Sequence, residues 1–151
     1  MQDLLGQAAY KKKLAKLSIK EKKYDDAWKF LHEQKELYLR HASSSGFDLV
    51  STRVIDASIH EDLANILRLE SKHKQALSNL SYTYKAQFMA NRPIVTLEKK
   101  LQAYFSRVYE KEQFEKFKSL LNLLKDSDYI SVRDFVEIYF LQLSKSLNEK
   151  I

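Results

Sequence analysis

Three stretches of the chain place similar residues at the same spacing: Leu14–Leu31 (LAKLSIKEKKYDDAWKFL), Leu63–Leu80 (LANILRLESKHKQALSNL) and Tyr104–Leu121 (YFSRVYEKEQFEKFKSLL). In each stretch a ring-bearing side chain comes ten residues after the first position. A small or aromatic residue follows at thirteen, and a leucine at seventeen. Self-similarity at a fixed spacing is the sequence signature of a repeated structural unit.

The spacing has a physical reason in the pairing of two helices. The first two stretches carry small residues midway along the first helix and near the start of the second, where they let the two helices approach closely. A ring at the start of the second helix fills the corner after a short polar turn. The alanines are Ala15, Ala27, Ala64 and Ala76, and the rings are Tyr24, His73 and Phe114. The third stretch has Phe105 and Phe117 at the small-residue places, which predicts a wider helix pair there.

Helical periodicity extends along the whole chain. The ladder formed by Val132, Val136, Tyr139 and Leu143 follows the i, i+4, i+7 spacing of an amphipathic helix. Only 2 Gly and 1 Pro interrupt 151 residues, which argues against a β fold rich in turns. We therefore predict an all-α protein with seven helices, near residues 2–20, 23–42, 48–70, 73–90, 94–111, 113–125 and 130–148.

These residues resemble the tetratricopeptide (TPR) repeat, a helix-turn-helix unit that stacks into a superhelix. The resemblance implies a single domain, 1–151, built as a TPR-like α-solenoid of about three helical hairpins plus a C-terminal capping helix. The units span about 8–42, 48–90 and 94–125, and the capping helix spans 130–148. Ala76 follows Ala27 by 49 residues, against about 34 in a standard unit. Longer helices of this kind occur in TPR units of bacterial signalling proteins.

The resemblance also implies a concave groove, lined by the first helix of each unit, that binds a protein or peptide. Its predicted partner-binding residues are Lys12, Lys16, Asp62, Asn65, Arg68, Lys99, Gln102 and Ser106. The lysines would meet an acidic segment or a terminal carboxylate. Lys16 and Asp62 stand where carboxylate-clamping TPR domains have Asn, and Ala103 stands where they have Arg, which argues against a standard clamp. A solvated face without a ligand is the other interpretation of these lysines.

The positive charge is concentrated at one end of the chain. The net charge is +6, and residues 1–23 contribute +5 of it through seven lysines against Asp3 and Glu21. The alternative hypothesis is therefore a basic adaptor that binds nucleic acid or an anionic surface through residues 11–23. That segment contains no Arg and few aromatic residues, which disfavours nucleic acid.

No constellation of catalytic residues emerges from the sequence. The chain has no Cys, and the four histidines form no HExxH pattern. His60, Glu61 and Asp62 are consecutive, so on a helix they point in different directions and make a poor ligand set. We expect no enzymatic activity, no metal and no cofactor; an enzyme with an unrecognised helical site is the third hypothesis.

Neither a secretory signal peptide nor a membrane span is predicted, so the expected location is the cytoplasm. A homodimer is also possible, because the region of Trp28 and Tyr38 and the last predicted helix carry large apolar faces.

Overall fold

The computed structural model describes residues 3–149, and the side chains of residues 3–145. Within that range the chain forms no strand and seven α-helices. A short 3₁₀ helix, Lys111–Gln113, precedes the sixth. The helices are α1 (Leu4–Lys20), α2 (Tyr24–Ser44), α3 (Leu49–Leu69), α4 (His73–Met89), α5 (Val95–Ser106), α6 (Phe114–Leu123) and α7 (Tyr129–Glu149). The all-α prediction is confirmed; the predicted start of the first helix at residue 2 lies outside the described residues.

The first two hairpins have the same turn. Lys22 and Ser71 both adopt the left-handed conformation, each with φ of 62°. The next backbone N–H closes the turn: that of Lys23 donates to Ser18 O at 2.8 Å, and that of Lys72 donates to Leu67 O at 2.8 Å. This bond across the end of a helix is the mark of a Schellman motif. The polar connectors that follow α1 and α3 therefore fold identically.

Helices pack in neighbouring pairs, α1 with α2 and α3 with α4, while α2 also packs against α3. The four alanines of the first two repeated stretches lie in these pairs and are at most 1% exposed. Tyr24 and His73 are the first residues of α2 and α4. Small residues thus stand at the close approaches of both pairs, as the spacing predicts.

The interior consists of two apolar clusters joined by one side chain. The first lies among α1, α2 and α3 and includes Leu31, Ile59 and Leu63. The second extends from the middle of α3 through α7 and is rich in aromatic rings. Trp28 packs against both clusters, and Tyr38 packs against the first. The aromatic side chains of α2 are therefore largely used inside the protein.

The third hairpin departs from the first two. The sequence predicts a helix to residue 111, but α5 ends at Ser106, and residues 107–110 and the 3₁₀ helix lead into α6. Phe105 and Phe117 are completely buried, with ring centroids 5.0 Å apart. The equivalent positions of the first two hairpins are alanines, so rings of this size keep α5 and α6 further apart. A longer connection is needed because the two helices cannot meet as closely.

Long-range contacts hold the last helices on α4. Lys85 is fully buried, and its Nζ donates to the Asn122 carbonyl oxygen at 2.9 Å, near the end of α6. α7 packs against α4 and α6 through Val132, Val136 and Phe140. Burial lowers the pKa of Lys85. An ammonium group at the negative end of a helix is electrostatically favourable, which offsets part of the cost of burying it.

The turn geometry predicts opposite effects of glycine at neighbouring positions. Left-handed backbone costs a residue with a Cβ about 1–2 kcal/mol, whereas glycine adopts it freely. We expect Lys22→Gly to raise the free energy of unfolding by about 0.5–1 kcal/mol. Lys23→Gly, at the N-cap of α2 with φ of −92°, relieves no left-handed strain and should lower it by roughly 0.3 kcal/mol. Ser71→Gly and Lys72→Gly should repeat the contrast. Urea denaturation measures it, and equal effects within each pair would contradict the turn structure.

Candidate functional site

The predicted groove residues lie on α1, α3 and α5, and electrostatic interactions link α3 to both of the other helices. Lys100 Nζ on α5 donates to Glu61 Oε1 on α3 at 3.0 Å. On the other side, Lys12 and Lys16 of α1 are close enough to Asp62 to influence its ionisation. α3 therefore lies between α1 and α5 on this face. We call Lys12, Lys16, Glu61, Asp62 and Lys100 the charged face.

Asp62 is at the centre of the charged face. Burial raises its pKa above the ordinary value, and the neighbouring carboxylate of Glu61 adds to the rise. The ammonium groups of Lys12, Lys100 and Lys16 act in the opposite direction without cancelling it. A partly buried carboxyl group therefore lies among three lysine side chains at the centre of this face.

Asn65 and Arg68 lie one turn further along α3. The Arg68 guanidinium donates to Asn65 Oδ1 at 2.7 Å, so the two side chains are held together on their own helix. Both are partly buried. Arg68 keeps further N–H groups that this single bond does not use.

The residues expected on α5 are placed less favourably. Lys99 and Ser106 are exposed, and the Ser106 hydroxyl donates to the Gln102 carbonyl on the same helix at 2.9 Å. Among the described residues, the side chains of Lys99, Gln102 and Ser106 form no hydrogen bond or ion pair with α1 or α3. Lys100 makes the contact to α3 instead, because it flanks the buried ladder of Leu97, Leu101 and Tyr104. That ladder is visible in the sequence and could have identified Lys100.

The lysines of α1 differ in whether they have a partner. Lys11 pairs with Glu33 of α2 at 2.6 Å. Within the part of the chain whose side chains are described, no carboxylate lies within 4 Å of the Nζ atoms of Lys12, Lys16 or Lys99. These three ammonium groups can therefore bind an anion without first breaking an internal ion pair.

A second group of polar residues lies in the interior, and sequence reasoning missed it. We call Lys35, Asp56, His60, Asn79 and Tyr82 the polar cluster. Lys35 Nζ donates to His60 Nε2 at 2.8 Å, and the other ring nitrogen contacts Asn79 Oδ1 at 2.8 Å. Because an ammonium group only donates, Nε2 accepts, and the proton of the neutral ring is on Nδ1 and is donated to Asn79. Tyr82 OH donates to Asp56 Oδ2 at 2.6 Å, and Lys35 lies 3.5 Å from the other carboxylate oxygen.

The electrostatics of the polar cluster keep His60 neutral. Burial lowers the pKa of His60 to about 4, and the positive charge of Lys35 contributes to the shift. Asn79 and Asp56 act against it, and His32 adds to it. Burial and the bond to Asp56 raise the pKa of the Tyr82 hydroxyl. The sequence indicated only that His60 lacks a partner ligand, whereas the structure shows that it is 2% exposed and hydrogen-bonded on both nitrogens.

Tyr129, the first residue of α7, covers this cluster. Its ring centroid lies 4.5 Å from that of His60 and 5.6 Å from that of Tyr82. The polar cluster therefore connects α2, α3, α4 and α7. Hydrogen bonds and an ion pair join its members to one another, and the imidazole is shielded from solvent, so the polar cluster connects these four helices.

A surface cleft of about 460 Å³ borders the cluster between α2, α4 and α7. Trp28 and Tyr129 form part of its walls, and Ser78 and Asn79 line it. The side chains of Ser78 and Asn79 already donate hydrogen bonds within α4: Asn79 Nδ2 donates to the Gln75 carbonyl, and Ser78 Oγ donates to the Lys74 carbonyl. The cleft thus offers aromatic walls but no buried polar group in search of a partner.

Among the described residues, no three His, Asp or Glu side chains converge in a way that could hold a metal ion. No helix within residues 3–149 combines the length and the apolar character needed to cross a membrane.

No family model matches the chain, and neither the curated proteins nor the solved structures yield a match. The candidate site is therefore defined by the positions and charges of its own residues.

The neutral state of His60 predicts a loss of stability in acid. The unfolded chain takes up a proton near pH 6.5, whereas the folded protein resists protonation until about pH 4. The free energy of unfolding should therefore fall as the pH drops through this interval, by at most about 1.4 kcal/mol per pH unit from this group. His60→Gln keeps one donor and one acceptor but does not titrate, so its stability should fall less steeply.

The matched control is His73→Gln, which lies outside the polar cluster. Urea denaturation at intervals between pH 4 and 6.5 compares the three proteins, and the slope of stability against pH is the quantity of interest. Parallel slopes for the wild type and His60→Gln would show that another group is responsible.

Proposed function

We propose that this chain is a non-catalytic protein-interaction domain of the TPR-like kind, which binds a peptide on the side formed by α1, α3 and α5. The observation that carries the proposal is the repetition of one helical hairpin, with the same turn at Lys22 and Ser71 and alanines at both helix contacts. Repeated hairpins place their first helices side by side and so create an extended binding surface. A scaffold or sensory role in bacterial signalling follows from the resemblance and stays a prediction.

The charged face favours an acidic peptide as the ligand. Lys12 and Lys16 have no ion pair among the described side chains and are close to Asp62, which follows Glu61 in the chain; Lys99 on α5 also has no described ion pair. A peptide carboxylate would bind the unpaired ammonium groups, and the two acids would repel a second carboxylate placed at the middle of the face. We therefore infer a ligand with spaced acidic residues. Because Asn and Arg are missing from the clamp positions, an internal segment fits better than a free terminal carboxylate.

A second candidate function is supported by the exposed lysines of the first helix and its turn. Lys13, Lys20 and Lys22 are exposed, and no described carboxylate lies within 4 Å of them. Together with Lys12 and Lys16 they could bind nucleic acid or another polyanion through charge alone. Lysine-only binding of this kind reads no sequence and weakens steeply with salt.

The peptide proposal predicts that position matters more than total charge. Peptides selected from a random display library against the wild-type protein would be measured by fluorescence anisotropy. We expect Lys12→Glu with Lys16→Glu to weaken binding at least about tenfold, which is about 1.4 kcal/mol. Lys13→Glu with Lys29→Glu makes the same change in net charge at exposed positions outside the charged face, and should weaken binding about threefold or less.

Two further measurements distinguish the hypotheses. Amidation of the peptide C-terminus should leave the affinity unchanged if an internal segment is bound. Equal losses for the two double variants, together with binding of a labelled oligonucleotide that disappears as salt rises to physiological levels, would favour the polyanion function and contradict the peptide site.

A further inference from the structure

Helix α7 has two apolar faces, and only one of them is used within the chain. Val132 and Val136 are completely buried against the rest of the protein. On the opposite side Ile130, Ile138 and Leu141 are 58%, 53% and 57% exposed. A helix that is apolar on opposite sides is normally covered on both. Large aliphatic side chains that share one outward face mark an interaction surface better than scattered ones.

The outward face has a regular composition. Asp134, Ile138, Leu141 and Lys145 are spaced by four, three and four residues, which is the spacing of a seam between two packed helices. We call these four residues the α7 stripe. It begins with an acid, ends with a base and has two aliphatic residues between them. Asp134 has only a loose ion pair, at 3.3 Å, with the adjacent Arg133.

We propose that the α7 stripe binds the same stripe of a second copy of this chain in the antiparallel direction. In that arrangement Ile138 faces Leu141 of the second copy, and Asp134 faces its Lys145, twice by symmetry. A parallel arrangement would place Asp134 against Asp134 and Lys145 against Lys145, and both contacts are repulsive. The stripe is therefore complementary to itself only when the two helices run in opposite directions, as a twofold axis allows.

The size of the surface sets the expected affinity. One pair of helices of this length buries less than the roughly 800 Å² per partner of a standard interface. We therefore expect a reversible dimer with a dissociation constant of about 1–100 µM. Sedimentation analysis of the full chain from about 1 to 500 µM covers this range, and a monomer at every concentration would overturn the proposal.

Point variants test which surface is used. Ile138→Lys with Leu141→Lys should weaken the dimer at least about thirtyfold, because it places four ammonium groups in the seam. Leu123→Lys is the matched control: this α6 side chain is 80% exposed, lies outside the stripe and should leave the dissociation constant unchanged. Helical circular dichroism and cooperative unfolding verify that each variant is folded. Equal dissociation of the wild type and the double variant would overturn the proposal.

Charge exchange and cross-linking test the direction. Asp134→Lys alone and Lys145→Asp alone should each weaken the dimer several-fold, and the two changes in one chain should restore it. Because the chain has no Cys, Asp134→Cys and Lys145→Cys each introduce a single thiol. Under mild oxidation the antiparallel dimer gives a disulfide only when the two variants are mixed. A disulfide formed by each variant with itself would indicate parallel helices and contradict the proposal.

Discussion

The close approach of paired helices at small residues is the constraint on which the rest of the structure depends. Ala15 and Ala27 are buried where α1 meets α2, and Ala64 and Ala76 where α3 meets α4. Close pairs can be joined by a short turn, and the same turn follows α1 and α3. Two similar hairpins then stack through α2 and α3. In this stacked arrangement Lys12 and Lys16 of α1 lie close enough to Asp62 of α3 to act on its ionisation, and this proximity forms one side of the charged face.

The turns show how a chain with few glycines satisfies this constraint. Four helices are followed by a residue with positive φ, but only Gly46 among these residues is a glycine. Lys22, Ser71 and Asn91 adopt the same region at a cost that glycine would avoid. The helix pairing and the Schellman hydrogen bonds provide the compensating free energy. Low glycine content therefore limits the number of turns in this fold without preventing tight ones.

Much of the fold could be predicted from local sequence patterns. The features that could not be predicted are those that depend on residues far apart in the sequence. Helical periodicity placed six of the seven helices to within about three residues. It overextended α5, because the connector of that hairpin depends on how the buried rings of Phe105 and Phe117 meet across it. The polar cluster brings together side chains from α2, α3 and α4 under a ring from α7. Periodicity reveals which face of a helix is buried, but not which polar groups meet there.

The placement of the candidate-site residues could be predicted in part, and their binding role stays a prediction. The predicted register put Lys12, Lys16 and Asp62 on one face, and in the structure both lysines are close enough to act on the ionisation of Asp62. It did not identify Lys100, because the third hairpin lacks the small residues that fix the register in the other two. The lysines of the first helix also differ in their surroundings. Lys11 is paired within the fold, whereas Lys12 and Lys16 have no described ion pair and surround a partly buried acid.

In solenoid proteins the terminal helix normally has a polar outer face, whereas the outer face of α7 is apolar. α7 covers the aromatic cluster on its inner side, where Phe140 packs against Phe105 and Phe117. Its outer side carries aliphatic residues that a terminal cap would replace by polar ones. The inner face is thus covered by the chain itself, whereas the outer face is the one for which we propose a second copy. A second copy covering the outer face would bring two charged faces, and with them two of the proposed peptide sites, into one symmetric assembly.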